Sequence, residues 1–359
     1  MDAKSKNFLY KYLNANSPTG HETPGQKIWL DYLSPYIDTF YTDVYGTAVG
    51  VINPKAKYKV VIEAHADEIS WYINHITKEG YMHVIRNGGS DYQIAPSMHA
   101  KIHTEKGILP AVFGWPAIHV RKKEDEAKFN EKTVVLDAGF SSKEEALEKG
   151  VHVGTMVTFD QDLVALNNGR FFTGRALDNR MGGFMIAEVA RRLHQAKFVP
   201  PYALHIVNSV QEEVGLQGAT MISRRIQPDV AIVTDVTHDT QTVGYDKIKQ
   251  GDIACGKGPV LTYAPAVHRI LRKIIEQVAQ KENIPFQRAA SSRHTGTDTD
   301  AFAYSHTGTA SALISLPLKY MHTTAETVHK DDVENVIQLI HKSLLNLNPG
   351  DNFNYLNAE

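Results

Sequence analysis

The stretch Tyr58–Glu68, YKVVIEAHADE, decides how this chain folds. Its apolar run, KVVIEA, offers apolar residues to both faces, the pattern of a buried, parallel-type strand rather than one with a wet side. It ends abruptly in His65, Asp67 and Glu68. A strand buried on both faces needs helices on both sides, so the reading outward looks for them. Upstream, Lys6 to Asn14 carries apolar residues at helical spacing (Phe8, Leu9, Tyr12, Leu13). A second helix is predicted from the N-cap candidate Thr23, with Pro24 at its start, to about Leu33. TAVGVI, residues 47–52, reads as a further strand.

From about Trp71 to Asp162 the texture changes to short β-branched and aromatic runs (WYINHI, YMHVI, GILPAVFG, TVVLDAG, MVTFD) separated by Gly, Pro, Asn and Lys-rich turns. That is the signature of a small all-β module. After Phe171 strands and helices alternate. Helices are predicted over Asn179–Leu193, Val214–Ile226, Pro265–Lys281 and Val333–Leu347. Strands are predicted over Tyr202–Val210, Val230–Val233 and the ALISLP run. The expected fold class is therefore α/β, a mixed and mostly parallel sheet flanked by helices, interrupted by an inserted β-barrel-like module. Residues 1–70 and 163–359 form the discontinuous larger domain and residues 71–162 the insertion.

Composition narrows the function. Thirty-eight Lys and Arg against forty Asp and Glu give a formal charge of -2, which argues against a nucleic-acid or membrane-surface binder. The single cysteine, Cys255, excludes an intrachain disulfide framework and thiolate metal clusters. No run approaches the ~20 apolar residues of a membrane span, and the first residues hold no signal-type apolar core. A cytoplasmic location is expected.

Ligands of open α/β sheets gather at the carboxyl ends of the strands. Four predicted strands deliver polar residues there: His65 with Asp67 and Glu68, Glu212 with Glu213, Asp235, and His322. Asp178 lies just before the helix expected from Asn179. Each has an ordinary explanation alone. Acidic pairs favour helix N-termini, Asp178 suits an N-cap, Asp235 could cap a turn, and single histidines are mostly structural. Independent accidents would not place all of them at one edge. Carboxylate and imidazole without thiolate suit two borderline divalent ions such as zinc, cobalt or manganese. Asp67, two residues from His65, is placed to accept the second N–H of a ligating imidazole.

HADEIS (65–70), TGRALDNRMGG (173–183), VQEEVGLQGA (210–219), VTDV (233–236), GKGP (256–259), GTDTDAF (296–302) and LPLKYMHT (316–323) occur in this order. Together they resemble metallopeptidase family 42, the glutamyl, deblocking and tetrahedral-particle aminopeptidases of the bridged di-zinc exopeptidases. The resemblance covers almost the whole chain, including the interruption by a β module. It implies that Asp178 bridges two metals, with Glu213 and His322 completing one site and His65 and Asp235 the other. Asp67 would orient His65 and Glu212 would be the general base. Two ions roughly 3.5–4 Å apart share and acidify a water, whose proton Glu212 would pass to the leaving amine. A substrate's free α-amine would ligate one ion, hence exopeptidase specificity on short peptides. The implied inserted domain is a dimerisation module, and the implied assembly runs from a dimer up to a tetrahedral dodecamer.

Two positions depart from the family pattern: Lys319 stands where Arg is usual, and Thr323 where Ser is common. The polar loop SSRHTGTDTD leaves His294, Thr295, Asp298 and Thr299 as pocket-lining residues or as caps of the following helix. Two other functions compete. A glycoside hydrolase of endoglucanase type needs carboxylates across a cleft and leaves the ligand set unexplained. A non-catalytic assembly protein would have lost a ligand or the base, and all six positions are intact.

Overall fold

The computed structural model describes residues 1–121 and 129–356. Residues 122–128, within the range assigned to the insertion, and 357–359, at the end of the larger domain, lie outside the described residues. Among the described residues, eleven strands form one mixed sheet. At its centre run four parallel strands, Ala203–Ser209, Lys59–His65, Val230–His238 and Ala310–Lys319, adjacent in that order.

Both faces of this centre are covered, as the apolar runs require. Val60, Ile62 and Ala64 pack with Ile232 beneath the helices Ala3–Asn14, Thr23–Leu33, Leu177–Gln195, Arg269–Lys281 and Lys330–Asn346. Val61, Ala231 and Val233 face the other way, against Ala219, Ile222 and Ile226 of the helix Gln217–Ile226 and against Phe302. The alternation within one strand is that of a sheet with no wet side. Leu177–Gln195 lies directly on the strand that ends at His65: a Cβ on Gly182 would come 2.8 Å from Cβ of Ala64, so only glycine permits this approach. Met181, Phe184, Met185 and Leu193 of that helix are fully buried, each stabilising the layer by about 1.5–3 kcal/mol.

The second sheet is a closed six-stranded barrel. Its strands are Ser70–Ile76, Met82–Asn87, Val135–Asp137, Gly107–Gly114, His99–Thr104 and Met156–Phe159, in that spatial order. Trp71, Phe113 and Phe159 meet in its interior with ring centroids 5.6–6.1 Å apart. Closure leaves no free strand edge. The barrel follows directly on the His65 strand, so the expected class, α/β with an inserted all-β module, is what the chain forms.

Several elements differ from their predicted bounds. The Val230 strand continues to His238, because its polar residues Thr234 and Asp235 sit at the sheet edge that forms the site. The helix predicted from Val214 starts at Gln217, since Gly215 (φ 112) and Leu216 (φ 60) hold a left-handed turn before it. The helix predicted from Pro265 starts at Arg269. Two short antiparallel strands, Phe171–Gly174 and Glu326–His329, gave no sequence signal of their own, yet they carry the approach to Asp178 and the exit from His322.

Candidate metal centre

Register brings the first ligands level. Ser209 pairs with His65, and Val233 pairs with Glu63, which puts Asp235 beside His65 two residues on. His65 is the last residue of its strand, whereas Asp235 lies within its own strand rather than after it. Glu212 and Glu213 occupy the turn following Ala203–Ser209, and His322 follows Ala310–Lys319 in a left-handed conformation (φ 60). Asp178 and Asn179 interrupt the helical backbone at the start of Leu177–Gln195. Asn179 Nδ2 donates to Thr234 O at 2.8 Å and its Oδ1 accepts from Gly182 N at 3.2 Å. This clamp holds Asp178 over the sheet edge.

All five candidate ligands converge. The two oxygens of Asp178 face different imidazoles, Oδ1 lying 3.2 Å from His65 Nε2 and Oδ2 3.3 Å from His322 Nε2. His65 Nε2 is also 3.8 Å from Asp235 Oδ1, and His322 Nε2 is 3.5 Å from Glu213 Oε2. Two donors about 2.0–2.2 Å from one ion at a tetrahedral angle stand roughly 3.3–3.6 Å apart. The separations around Asp178, 3.2 and 3.3 Å, lie at or just below the short end of that spacing, so the residues group into two candidate donor sets that share one carboxylate. His65, Asp178 and Asp235 make the first and Asp178, Glu213 and His322 the second, while His65 with Glu212 and Glu213 is a third group close enough to hold an ion.

Charge argues the same way. Among the described residues, Asp178, Glu213 and Asp235 have no Lys or Arg at ion-pair distance; their partners are the two imidazoles. Burial and neighbouring carboxylates push Glu213 and Asp235 up to about 8, and Glu212 up to about 10. Burial opposes ionisation of Asp178 too, but hydrogen bonds and charge from His322 and His65 outweigh it and hold that carboxyl well below its usual range. Burial also opposes charging His322, yet Asp178 and Glu213 raise it to about 10. Crowded carboxylates that cannot all ionise without a cation are a donor set suited to divalent metal.

Asp67 and Glu326 organise this cluster from behind. Asp67 is fully buried, its Oδ1 3.3 Å from His65 Nδ1. It accepts hydrogen bonds from the backbone N–H of Glu212 at 3.0 Å and of Glu213 at 3.2 Å, and from Thr19 Oγ1 at 2.9 Å. Glu326, which no sequence signal singled out, accepts from the N–H of His322 at 2.8 Å and of Asp178 at 3.1 Å. Only pairing across the sheet could have found it, since it lies 148 residues from Asp178.

A cavity of about 610 Å³ opens on the cluster. Of the four candidates in the polar loop, His294 and Thr295 line it, and so do Gly296, Thr297 and Asp300 of the same loop. Asp298 and Thr299 are buried instead: Asp298 Oδ2 accepts from Ser209 Oγ at 2.7 Å, and Thr299 Oγ1 accepts from Thr297 Oγ1 at 3.0 Å. Lys319 is turned away from the cavity, its Nζ 3.8 Å from Asp239 Oδ2 and 5.9 Å from the Phe171 ring centroid.

A helix-flanked mixed sheet with an imidazole–carboxylate cluster at its carboxyl edge, and a barrel inserted beside it, defines a class of peptidase. The M42 glutamyl aminopeptidase family matches residues 46–339, and the chain belongs to it. It is a hydrolase of peptide bonds. A lysyl aminopeptidase of Pyrococcus furiosus is 35% identical over 96% of this chain and 98% of its own length. Among solved structures, the TET aminopeptidase of a marine-sediment Thaumarchaeota archaeon superposes with a TM-score of 0.91 at 27% identity, covering 96% of this chain and 97% of that one. The TET1 peptidase of Pyrococcus horikoshii, described as assembling into a tetrahedron or a large octahedral shell, gives 0.82 at 27% identity over 94% and 98%. No helix among the described residues is long and apolar enough to cross a membrane.

Proposed function

We propose that the chain is a two-metal aminopeptidase that removes the N-terminal residue of short peptides. The observation that carries this is the split carboxylate of Asp178, one oxygen toward His65 and the other toward His322. Asp178, His65 and Asp235 would hold one divalent ion, and Asp178, Glu213 and His322 the other, zinc being the first choice and cobalt or manganese alternatives for this N/O donor set. When bound, the pair supplies Lewis acidity for the scissile carbonyl and acidified water near neutral pH.

The chain's own groups do the rest. Glu212 Oε2 lies 3.9 Å from His65 Nε2 at the cavity wall; as general base it would accept the proton of the attacking water and return it to the leaving amine. Asp67 fixes the Glu212–Glu213 backbone and the His65 ring together, so base and ligands keep one geometry. Substrates with a free N-terminus are favoured because the α-amine is a neutral-nitrogen ligand that an acetylated end lacks. We assign residues 1–70 and 163–359 to the catalytic domain and the 71–162 insertion to dimerisation. A homo-oligomer from dimer to dodecamer agrees with the shells named for similar structures. A single thiol and near-balanced charge suit the cytoplasm and give no nucleic-acid surface.

Unblocked and N-acetylated aminoacyl anilides, assayed before and after chelation, test the reading. Release from the unblocked series alone, abolished by chelation and restored by metal, is expected. Cleavage of the acetylated series, or activity that survives thorough chelation, rejects it. Glu212→Gln should abolish turnover while about two ions per chain remain bound.

A further inference from the structure

The cavity is lined by the ligand cluster and by a wall from the 215–238 and 294–321 segments. Leu216, Val236 and Met321 give this wall apolar surface, and Asp300 gives it a carboxylate. Among the described residues, no Lys or Arg lines the cavity. Arg293, adjacent to His294, is absent from the lining. Of the two lining imidazoles outside the ligand cluster, His238 and His294, His238 is pulled below its ordinary value by burial and has the Tyr245 hydroxyl 3.1 Å from Nδ1, so it offers a neutral group at pH 7.

We propose that this chain prefers peptides with lysine or arginine at the N-terminus, and that Asp300 is the residue that selects them. The inference rests on the aminopeptidase reading above. A lysyl or arginyl side chain has an apolar stem and a cationic head, matching a lining that combines apolar residues with the Asp300 carboxylate. An acidic N-terminal side chain would instead meet the Asp300 carboxylate, with no Lys or Arg among the described lining residues to pair with it. A norleucine-like side chain would fill the same space but leave Asp300 without a cationic partner.

Asp300 is held ready for this. Both its oxygens accept from Thr295 N–H, at 3.2 and 2.9 Å, and Oδ2 also accepts from Gly296 N–H at 3.2 Å. These bonds fix the carboxylate against the loop and leave lone pairs free for a charged donor. An asparagine there keeps a carbonyl oxygen for the same amides, so the loop survives while the charge goes.

The metal-loaded protein should be assayed on lysyl, arginyl, leucyl and glutamyl anilides. The expected order puts Lys and Arg about tenfold to a hundredfold above Leu in kcat/KM, with Glu last. Asp300→Asn should cut the Lys:Leu ratio by about tenfold, mainly through KM. A preference for Glu or Leu, or an unaltered ratio in the variant, overturns the proposal. A measurement on the unmutated protein stands beside it: lysinamide should inhibit leucyl-anilide hydrolysis about tenfold more strongly than norleucinamide, its uncharged near-isostere. Equal inhibition overturns the role of charge. The two levels separate cleanly. If none of the four anilides is cleaved, the aminopeptidase reading fails and takes this one with it; cleavage in the wrong order removes the side-chain preference alone.

Discussion

Gly89, in the barrel, lies directly against the ring of His322, so that a Cβ at that position would overlap Nδ1 and Cε1 of the imidazole. Its neighbour Gly88 approaches Glu213 in the same way, a Cβ there coming 3.1 Å from that of Glu213. The loop is tied down nearby: Asn87 Nδ2 donates to Thr19 O at 2.9 Å, and Ser90 Oγ donates to Ser70 O at 2.7 Å. The inserted barrel therefore shapes one donor set of its own chain's site.

Gly89→Ala should displace His322 and weaken the ion shared with Glu213. Ligand misplacement of this kind lowers affinity by about 10–100-fold. Metal analysis after dialysis should fall from about two ions per chain toward one, with circular dichroism unaltered. Retention of both ions at unchanged affinity would show that His322 is positioned by other contacts.

Asp67→Asn tests whether one carboxylate sets both ligand and base. It loses the charge facing His65 Nδ1 and disturbs the bonds to the Glu212 and Glu213 amides. We expect metal affinity to drop by about 10–100-fold and kcat to fall even at saturating metal. If added metal restores full kcat, Asp67 tunes only binding.

Arg180 is fully buried and spends its guanidinium on the carbonyls of Tyr12, Leu13 and Ala15 at the end of the first helix. It also stands 3.6 Å from Glu68 Oε1 and over the Tyr12 ring at 4.5 Å. Arg180→Leu leaves those acceptors and part of the Glu68 charge unpaired, so urea unfolding should show a loss of about 3–5 kcal/mol. A loss below 1 kcal/mol would mean that the freed groups find other partners.

His103 and His205 set an acid limit on stability. Burial pulls both down to about 4 in the folded chain, against the ordinary 6.5. Between these values the unfolded chain binds more protons, so their contribution is complete above pH 6.5 and disappears as pH falls toward 4. On going from pH 7 to pH 5, the change in urea midpoint should be less destabilising in H103Q/H205Q than in the unaltered protein. Equal changes in both proteins would locate the acid sensitivity elsewhere.

The apolar runs of Val60–Ala64, Tyr202–Val210 and ALISLP determined a helix-covered sheet, because a strand with two apolar faces has no other stable setting. The residues that end those runs placed His65, Glu213 and His322 at one edge for the same reason. Asp178 reached the cluster in the sequence reading only through resemblance, since nothing local distinguishes it from an N-cap. Glu326, Gly89 and the cavity-facing side of Asp300 were invisible there. Glu326 acts through amides on two distant segments, Gly89 through what its missing side chain lets His322 occupy, and Asp300 through the wall it shares with residues far away in the chain. Sequence carries the periodicity that builds strands and helices. Which groups share one small volume is decided only when the chain closes on itself.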